Sequence, residues 1–358
     1  MPLIGSREPQ MHLATEVLRC RVCALVQLSV VPDPRMVFPP DYPYRTGTTR
    51  ALREHFTALA KSVTATCVLD IGSNDGTLLA AFQEQGAKVW GIEPTGATVE
   101  AQQRGIPTDM AFFDNDSAAR VPWAPDLITA CNVFAHIPDP VAVVHRITGL
   151  LAPKGTFLSE SHYWESILID LQYDTVYHEH LRYYSLTSLT HLLGLAGLEV
   201  YDVQRIPTHG GSIRVWAARQ GDRAVTPAVR TMLAMERMWD TEEMRASLQR
   251  RVERSRARLL SHIDTLDVPI WGVGAPSRAA TLIQYTGVPL VAVGEVAGSP
   301  KIGRCMPGTL IPVVDEAECA GQMALVLSWH IADEVRANLR RRGFRGQFIV
   351  PLPEPRLV

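Results

Sequence analysis

Between Thr66 and Arg219 the chain alternates short apolar runs with segments of helical spacing; the runs are VLDIG, KVWGIEP, DLITACNVFAHI and GTFLSES. Strands separated by helical segments predict a parallel sheet with helices on both faces. The pattern then changes. GLEVYDVQRIP and SIRVWAARQ flank a Thr-His-Gly-Gly turn and predict an antiparallel hairpin added to the sheet edge. Ahead of this region, residues 1–45 are proline-rich with little periodicity. Residues 46–62 open with cap-forming threonines, after which Leu52, Phe56 and Leu59 recur at helical spacing. Behind it, residues 225–264 carry dense charge on good helix formers, with no glycine and no proline after Pro227. That is the pattern of a long helical connector with a solvated face. VPIWGVGAPSRAATLIQY then repeats the scheme of strand, glycine-rich turn and helix. VPLVAVGE, ALVLSWHI and QFIVPLP supply later strands of a second α/β domain.

The junction after the first strand is the most specific feature. VLDIGSNDGTLL, residues 68–79, runs an apolar strand into a Gly-Ser-Asn-Asp-Gly turn, and the next strand ends in Glu93, 21 residues after Gly72. Glycine lets backbone approach a ligand, and a carboxylate about 20 residues on suits ribose hydroxyls. The turn lacks the third glycine of G-x-G-x-x-G. It therefore favours a nucleoside without a pyrophosphate, such as S-adenosylmethionine, over a dinucleotide. In the second domain, Gly272-Val-Gly274-Ala-Pro-Ser277-Arg278 offers backbone N–H groups, a hydroxyl and a cation to a phosphate, with Lys301 as a further cation.

Length and charge narrow the class. A chain of 358 residues is long enough for two compact domains, each with its own core. Its 35 basic and 37 acidic residues give a net charge of −2, which argues against a general electrostatic grip on nucleic acid. There is no apolar run of membrane-spanning length and no signal-peptide core in the first 20 residues. The six cysteines lie mostly in apolar or strand-like contexts, so a reduced, cytoplasmic protein is expected. No internal repeat is visible, and nothing in the pattern specifies an oligomer. Cys20 and Cys23 form one C-x-x-C, half of a tetrahedral zinc set, with His12 the only other ligand at hand; a complete zinc site is not expected.

The densest chemistry lies in YDTVYHEHLRYYS, residues 173–185, with two histidines, two acids and four tyrosines in 13 positions. Such groups are costly to bury without partners and commonly line a cleft. His178 and His180 lack the i, i+4 spacing of a helical metal pair. A histidine titrating near neutrality and steered by a carboxylate instead suits removal of a proton from carbon. Asn132 and His136 sit at the end of a predicted strand, where open α/β sheets bind ligands. Thr208-His209-Gly210-Gly211 occupies the hairpin turn, where the glycines serve turn geometry as readily as function.

GSNDGTLL, GIEP, NVFAHIPDP, YHEHLRYYS, RIPTHGGSIRVWAAR, GVGAPSRAATLI, PGTLIPV and FIVPLPEPR occur in this order. Together they resemble the class I S-adenosylmethionine-dependent C-methyltransferases of nucleotide-activated deoxy-keto sugars, over roughly residues 14–358. The resemblance implies an α/β fold with three parts: a shortened N-terminal zinc-type module (1–45), a Rossmann-like methyltransferase sheet ending in an antiparallel hairpin (46–222) and a C-terminal α/β sugar-nucleotide-binding domain (265–358), with the helical connector read above placed at 223–264. It implies a catalytic set of His180 as base, Glu179, Tyr177, His136 and Tyr44, with Tyr42 the less favoured alternative to Tyr44. Asp70, Gly72, Ser73, Asn74, Asp75, Glu93 and Asn132 fall where the family holds S-adenosylmethionine. Gly274, Ser277, Arg278 and Lys301 fall where the family approaches the nucleotide diphosphate, with dTDP the expected carrier; His178, Arg182 and His209 are further candidate substrate contacts read from the sequence itself.

Two departures stand out. The family's zinc module has two C-x-x-C pairs, and only the second is matched, by Cys20 and Cys23; the first would fall before residue 1. GEVAGSPK (294–301) and SWH (328–330) read like a sister branch, which leaves the acceptor open. O- or C-methylation of another natural-product acceptor, an NAD(P)-dependent oxidoreductase built from two nucleotide domains, and a sugar-nucleotide-binding protein without activity are the competing readings.

Overall fold

The computed structural model describes residues 1, 3, 4, 10, 13–319 and 321–358. His12 lies outside them. The chain divides into two compact units, one made of Glu16–Trp164 with His178–Met238, the other of Met1–Thr15, Glu165–Tyr177 and Trp239–Val358.

In the first of these, two short strands, β1 (Val17–Arg19) and β2 (Val26–Leu28), form a hairpin. The main sheet follows with β3 (Cys67–Ile71), β4 (Lys88–Ile92), β5 (Thr108–Asp109), β6 (Leu127–Cys131) and β7 (Thr156–His162). After these come β8 (Arg182–Tyr183), β9 (Leu198–Ile206) and β10 (Ser212–Arg219). The seven-stranded sheet runs β5-β4-β3-β6-β7-β10-β9. Strands β3 to β7 are parallel, and β10 and β9 close the edge as an antiparallel pair. β3 and β6 are buried along nearly their whole length because helices cover both faces, which explains why they read as continuous apolar runs rather than alternating ones. The strand order reverses between β3 and β6. Such a switch point opens a crevice at the carboxyl ends of the strands.

The small hairpin does not stand alone. β2 pairs with β8, giving a three-stranded antiparallel sheet that ties residues 26–27 to the stretch just after His180. Among the described residues no group of three or more His, Cys, Asp or Glu side chains converges to hold a metal, and all six cysteines are free thiols. No described helix is long and apolar enough to cross a membrane.

The other unit carries β11 (Ile270–Val273), β12 (Leu290–Glu295), β13 (Val313–Asp315), β14 (Met323–Val326), β15 (Gln347–Val350) and β16 (Arg356–Leu357). Their order is β13-β12-β11-β14-β15-β16, parallel except for the last strand. This sheet too reverses beside its first strand, and the Gly274 turn follows β11.

The stretch read as one connector is two helices, Pro227–Trp239 and Glu242–Asp264. They break at Asp240–Thr241, where the Thr241 hydroxyl accepts the Met244 N–H at 3.1 Å and starts the second helix. Its charges are not all solvated. Glu236 is 5% exposed and accepts the Tyr163 hydroxyl at 2.9 Å and the Thr187 N–H at 2.8 Å, along with the Leu186 N–H. The carboxylate thereby caps the helix Leu186–Gly194 from outside its own sequence, meeting donors that the first turn of a helix leaves unpaired. Charge patterning alone does not distinguish such a residue from its exposed neighbours.

Glu236→Ala should cost about 2–3 kcal/mol in urea unfolding, since it strands buried N–H donors. Glu243→Ala, on an exposed position of the next helix, should change stability by less than about 0.5 kcal/mol.

Candidate active site

A cavity of about 360 Å³ opens at the switch point of the seven-stranded sheet, within the size range of small-molecule sites. Three strand ends build it. After β3, Gly72 has φ +71°, and a Cβ there would meet Val133 Cγ2 at 2.5 Å, so only glycine fits. Asn74 follows at φ +49°, a conformation asparagine tolerates better than most residues. At the end of β4, the 5%-exposed Glu93 accepts the Asn74 N–H on Oε2 at 3.0 Å, and the Thr95 N–H and hydroxyl on Oε1 at 3.0 and 2.6 Å. One carboxylate thus pins both loops, and its Oε2 keeps capacity for one more donor. After β6, Asn132 adopts φ +59° and donates its N–H to the Glu160 carbonyl at 2.8 Å. Phe112 and Phe113 add aromatic wall beside Ile92. A carboxylate next to flat apolar surface fits the nucleoside of S-adenosylmethionine, with Glu93 for hydroxyls and the phenylalanines for the base.

Asp70, Ser73 and Asp75 are not brought into this wall. Asp70 is buried in the sheet and accepts the Thr129 hydroxyl at 2.6 Å. Burial pushes its carboxyl up from 3.8 to about 7; the Thr129 hydrogen bond opposes this, and the charges of Glu93 and Glu160 reinforce it. Ser73 is buried, close enough to Gly91 that a Cβ there would meet its Oγ at 2.4 Å. Asp75 and Asn74 hold a strap instead. Asp75 Oδ2 accepts the Gly47 N–H at 2.9 Å, and Asn74 Oδ1 accepts the Thr46 N–H at 2.9 Å. Gly96 donates to the Pro40 carbonyl at 2.8 Å. These bonds lay residues 38–48 along the cavity, where Phe38, Tyr42 and Tyr44 line it.

A chain of contacts runs through the strap to the segment 179–180. Tyr42 donates its hydroxyl to Glu179 Oε2 at 2.7 Å, and its ring packs edge-on against Phe38, which packs against His136. His136 Nδ1 lies 2.6 Å from the Glu179 carbonyl oxygen. A carbonyl only accepts, so Nδ1 carries the proton and Nε2 of the neutral ring has its lone pair available. The His180 ring stands 5.3 Å from that of His136. Among the expected catalytic residues, His136 and Tyr44 line the cavity, and Glu179 and His180 adjoin it through Tyr42 and His136. Tyr177 is half-buried and belongs to the other unit; the chain crosses between units just before His178, itself half-buried. Arg182, 9% exposed, is turned to the carbonyls of Ile137 and of Pro138, the latter at 2.8 Å, and so braces the turn that carries His136. His209 sits at the tip of the β9–β10 hairpin with φ +56°.

In the C-terminal unit, Gly274 has φ +80°, and a Cβ would meet Ser328 Oγ at 2.6 Å. Glu295, ending β12, accepts the Ala275 N–H on Oε2 at 3.1 Å, the same relation that Glu93 has to Asn74. Lys301 donates to the Ala275 carbonyl at 2.7 Å, with its ammonium 3.7 Å from Glu295. Ser277 opens the following helix. Arg278 does not face the turn: it is paired with Asp174.

One charged cluster carries no sequence motif. Glu160, fully buried on β7, bonds His55 Nε2 at 2.9 Å and Arg214 at 2.6 Å. Burial opposes its charge, but His55 and Arg214 hold the carboxyl below its ordinary value. His55 and Arg214 line a second cavity of about 510 Å³ between the helix Arg50–Ser62 and the hairpin. The pairing register sets Arg214 opposite Glu160, and the packing of the helix Arg50–Ser62 brings His55 to the same carboxylate.

A methyltransferase-domain family matches residues 44–203, and a family described as the C-methyltransferase C-terminal domain matches residues 207–353. The C-methyltransferase NovU of Streptomyces niveus is 33% identical over 96% of this chain and 87% of its own length. A ubiquinone biosynthesis O-methyltransferase of Chromobacterium violaceum is 32% identical over 29% of this chain and 47% of its own. The solved CcbJ methyltransferase of Streptomyces caelestis covers 50% of this chain and 93% of its own, at 15% identity and a TM-score of 0.39. The chain belongs to the S-adenosylmethionine-dependent C-methyltransferases. It is a methyltransferase whose methyl donor is S-adenosylmethionine, which removes the oxidoreductase reading.

Two measurements probe the donor side. Glu93→Gln should weaken S-adenosylmethionine binding about 10- to 100-fold by calorimetry, the worth of a hydrogen bond to a charged group. Asp70 has a folded pKa above its unfolded one, so it favours the folded state below pH 3.8, and that contribution is lost as pH rises through about 7. Wild-type stability relative to Asp70→Asn should therefore fall between those limits, and a flat difference would refute the raised pKa.

Proposed function

We propose that the protein transfers a methyl group to the carbon next to a ketone of a nucleotide-linked deoxysugar, with dTDP as the carrier. The observation that carries the reading is the paired imidazoles of His136 and His180 beside the Glu179–Tyr42 hydrogen bond, adjoining the donor cavity. The turn at Gly274, with Glu295 and Lys301 fastened to it, supports a nucleotide in the C-terminal unit.

A carbon next to a ketone is a poor nucleophile until it loses a proton. His180 is the base in this reading, placed by the segment that carries Glu179, and takes that proton. The enolate oxygen is held by donors drawn from Tyr177 and, when its ring is protonated, His136. S-adenosylmethionine, when bound, supplies an electrophilic methyl on a sulfonium sulfur. The carbanion's electron pair forms the new carbon–carbon bond, and the sulfur keeps the pair of the bond that breaks. A positioned base contributes about 10²–10⁴-fold, and an oxyanion donor about 10²–10³-fold. Alignment of methyl and carbanion supplies much of the rest. A second reading exchanges the histidines. His136 lines the cavity and its Nε2 is the free lone pair, because Nδ1 is committed to the Glu179 carbonyl.

Mass spectrometry of reactions containing S-adenosylmethionine and a panel of dTDP-keto-deoxysugars should show a product heavier by one methylene unit. Deuterium at the α-carbon should be lost; its retention would mean transfer to oxygen. His180→Ala should abolish turnover and leave S-adenosylmethionine affinity within about twofold, the pattern of a group acting in the chemical step. If instead His136→Ala is inactive and His180→Ala keeps activity, His136 is the base.

A further inference from the structure

Arg278 is expected from sequence to meet a phosphate, yet its surroundings leave no room for one. Its side chain is 9% exposed, and that of Asp174 is fully buried. Arg278 Nη2 donates to Asp174 Oδ1 at 2.9 Å while Nε lies within ion-pair distance of Oδ2 at 2.9 Å, a spread of charge over both carboxylate oxygens that a single lysine ammonium does not match. Trp329 closes the other side: its indole N–H reaches Asp174 Oδ2 at 2.7 Å, and its ring lies under the guanidinium at 5.0 Å. Gln172 Oε1 accepts from Nη2 at 3.3 Å, and His330 Nδ1 stands 3.4 Å from Nη1.

What this cluster grips is informative. Asp174 belongs to Glu165–Tyr177, a short piece of chain packed in the C-terminal unit although the chain before and after it builds the other unit. The grip extends to its end, where the Thr281 hydroxyl donates to the Val176 carbonyl at 2.9 Å, one residue before Tyr177. Arg278 and Thr281 both stand on the helix that opens just after the Gly274 turn. The element that follows the nucleotide turn therefore holds the start of the segment 177–180.

We propose that Arg278 is a positioning residue, which through Asp174 fixes the segment ending at Tyr177 and so sets the geometry of the residues that act on the acceptor carbon. The inference rests on the C-methylation reading for the role of that segment, and replaces direct phosphate binding by Arg278. The Gly274 turn and the chain up to Tyr177 then share one helix as support. A change at either is felt at the other without Arg278 touching the ligand.

The test uses the full chain with Asp174→Asn, Arg278→Gln, the double variant, and Arg278→Lys, which keeps the charge should the neutral variants fold poorly. Hydrogen exchange of a peptide covering residues 171–177 should quicken in every variant. Turnover should fall about 10²-fold through kcat, as for a small misplacement of reacting groups. dTDP and S-adenosylmethionine should bind within about threefold of wild type, and the double variant should be no worse than the singles, because the pair acts as a unit. The inference is overturned if Arg278→Gln weakens dTDP about tenfold or more while Asp174→Asn does not, which marks a phosphate ligand. It also fails if exchange at 171–177 is unchanged, or if exchange quickens with kcat intact, which marks a merely structural pair. Absence of dTDP binding and of any turnover in the wild type would instead sink the functional reading, and the exchange data would still decide whether the pair holds the segment.

Discussion

A single buried carboxylate organises the cavity at the switch point of the seven-stranded sheet. Glu93 takes hydrogen bonds from the Asn74 N–H and from the N–H and hydroxyl of Thr95, so the loops after β3 and β4 cannot drift apart. Asn74 in turn holds the strap at Thr46, and the strap brings Tyr42 to Glu179. Remove the carboxylate and an unbroken line of contacts from the loop after β3 to Glu179 and His136 loses its anchor. The constraint is strong because it is buried: a charge at this depth needs its donors, and donors at this depth need an acceptor.

The same device recurs in the C-terminal unit, where Glu295 accepts the Ala275 N–H at the end of the strand next to its glycine turn. Two sheets of different strand content thus solve the same problem alike. Each brings a glycine turn beside a strand-end acid, because a parallel sheet with a switch point leaves both at its carboxyl edge. Lys301 distinguishes the second case by placing a cation beside the acid.

Much of the candidate site was legible in the chain. The spacing of Gly72 and Glu93 and the adjacency of Glu179 and His180 survive as geometry because they depend on local turns or on neighbouring residues, whereas Tyr177 falls in the other unit. Both Tyr42 and Tyr44 line the cavity, and the less favoured Tyr42 is the one that bonds Glu179. Arg182 and Arg278 resisted such reading. Both are arginines in motif-rich stretches, and both turn inward, to the Ile137 and Pro138 carbonyls and to Asp174. An arginine that grips a ligand and one that grips its own chain look alike in sequence, since the difference lies in what burial places opposite the guanidinium. Glu236 and the His55–Glu160–Arg214 cluster were invisible for the same reason.

By itself, the order of apolar runs determined two α/β sheets, their glycine turns and the antiparallel edge, because strand periodicity, turn chemistry and chain order are local properties. The tertiary structure decided which charges meet. It set Arg214 against Glu160 by strand register, packed Glu165–Tyr177 with the C-terminal sheet, and committed His136 Nδ1 to the Glu179 carbonyl. Those choices hang on contacts between residues tens to more than a hundred positions apart. They are settled only when folding removes water from both partners at once.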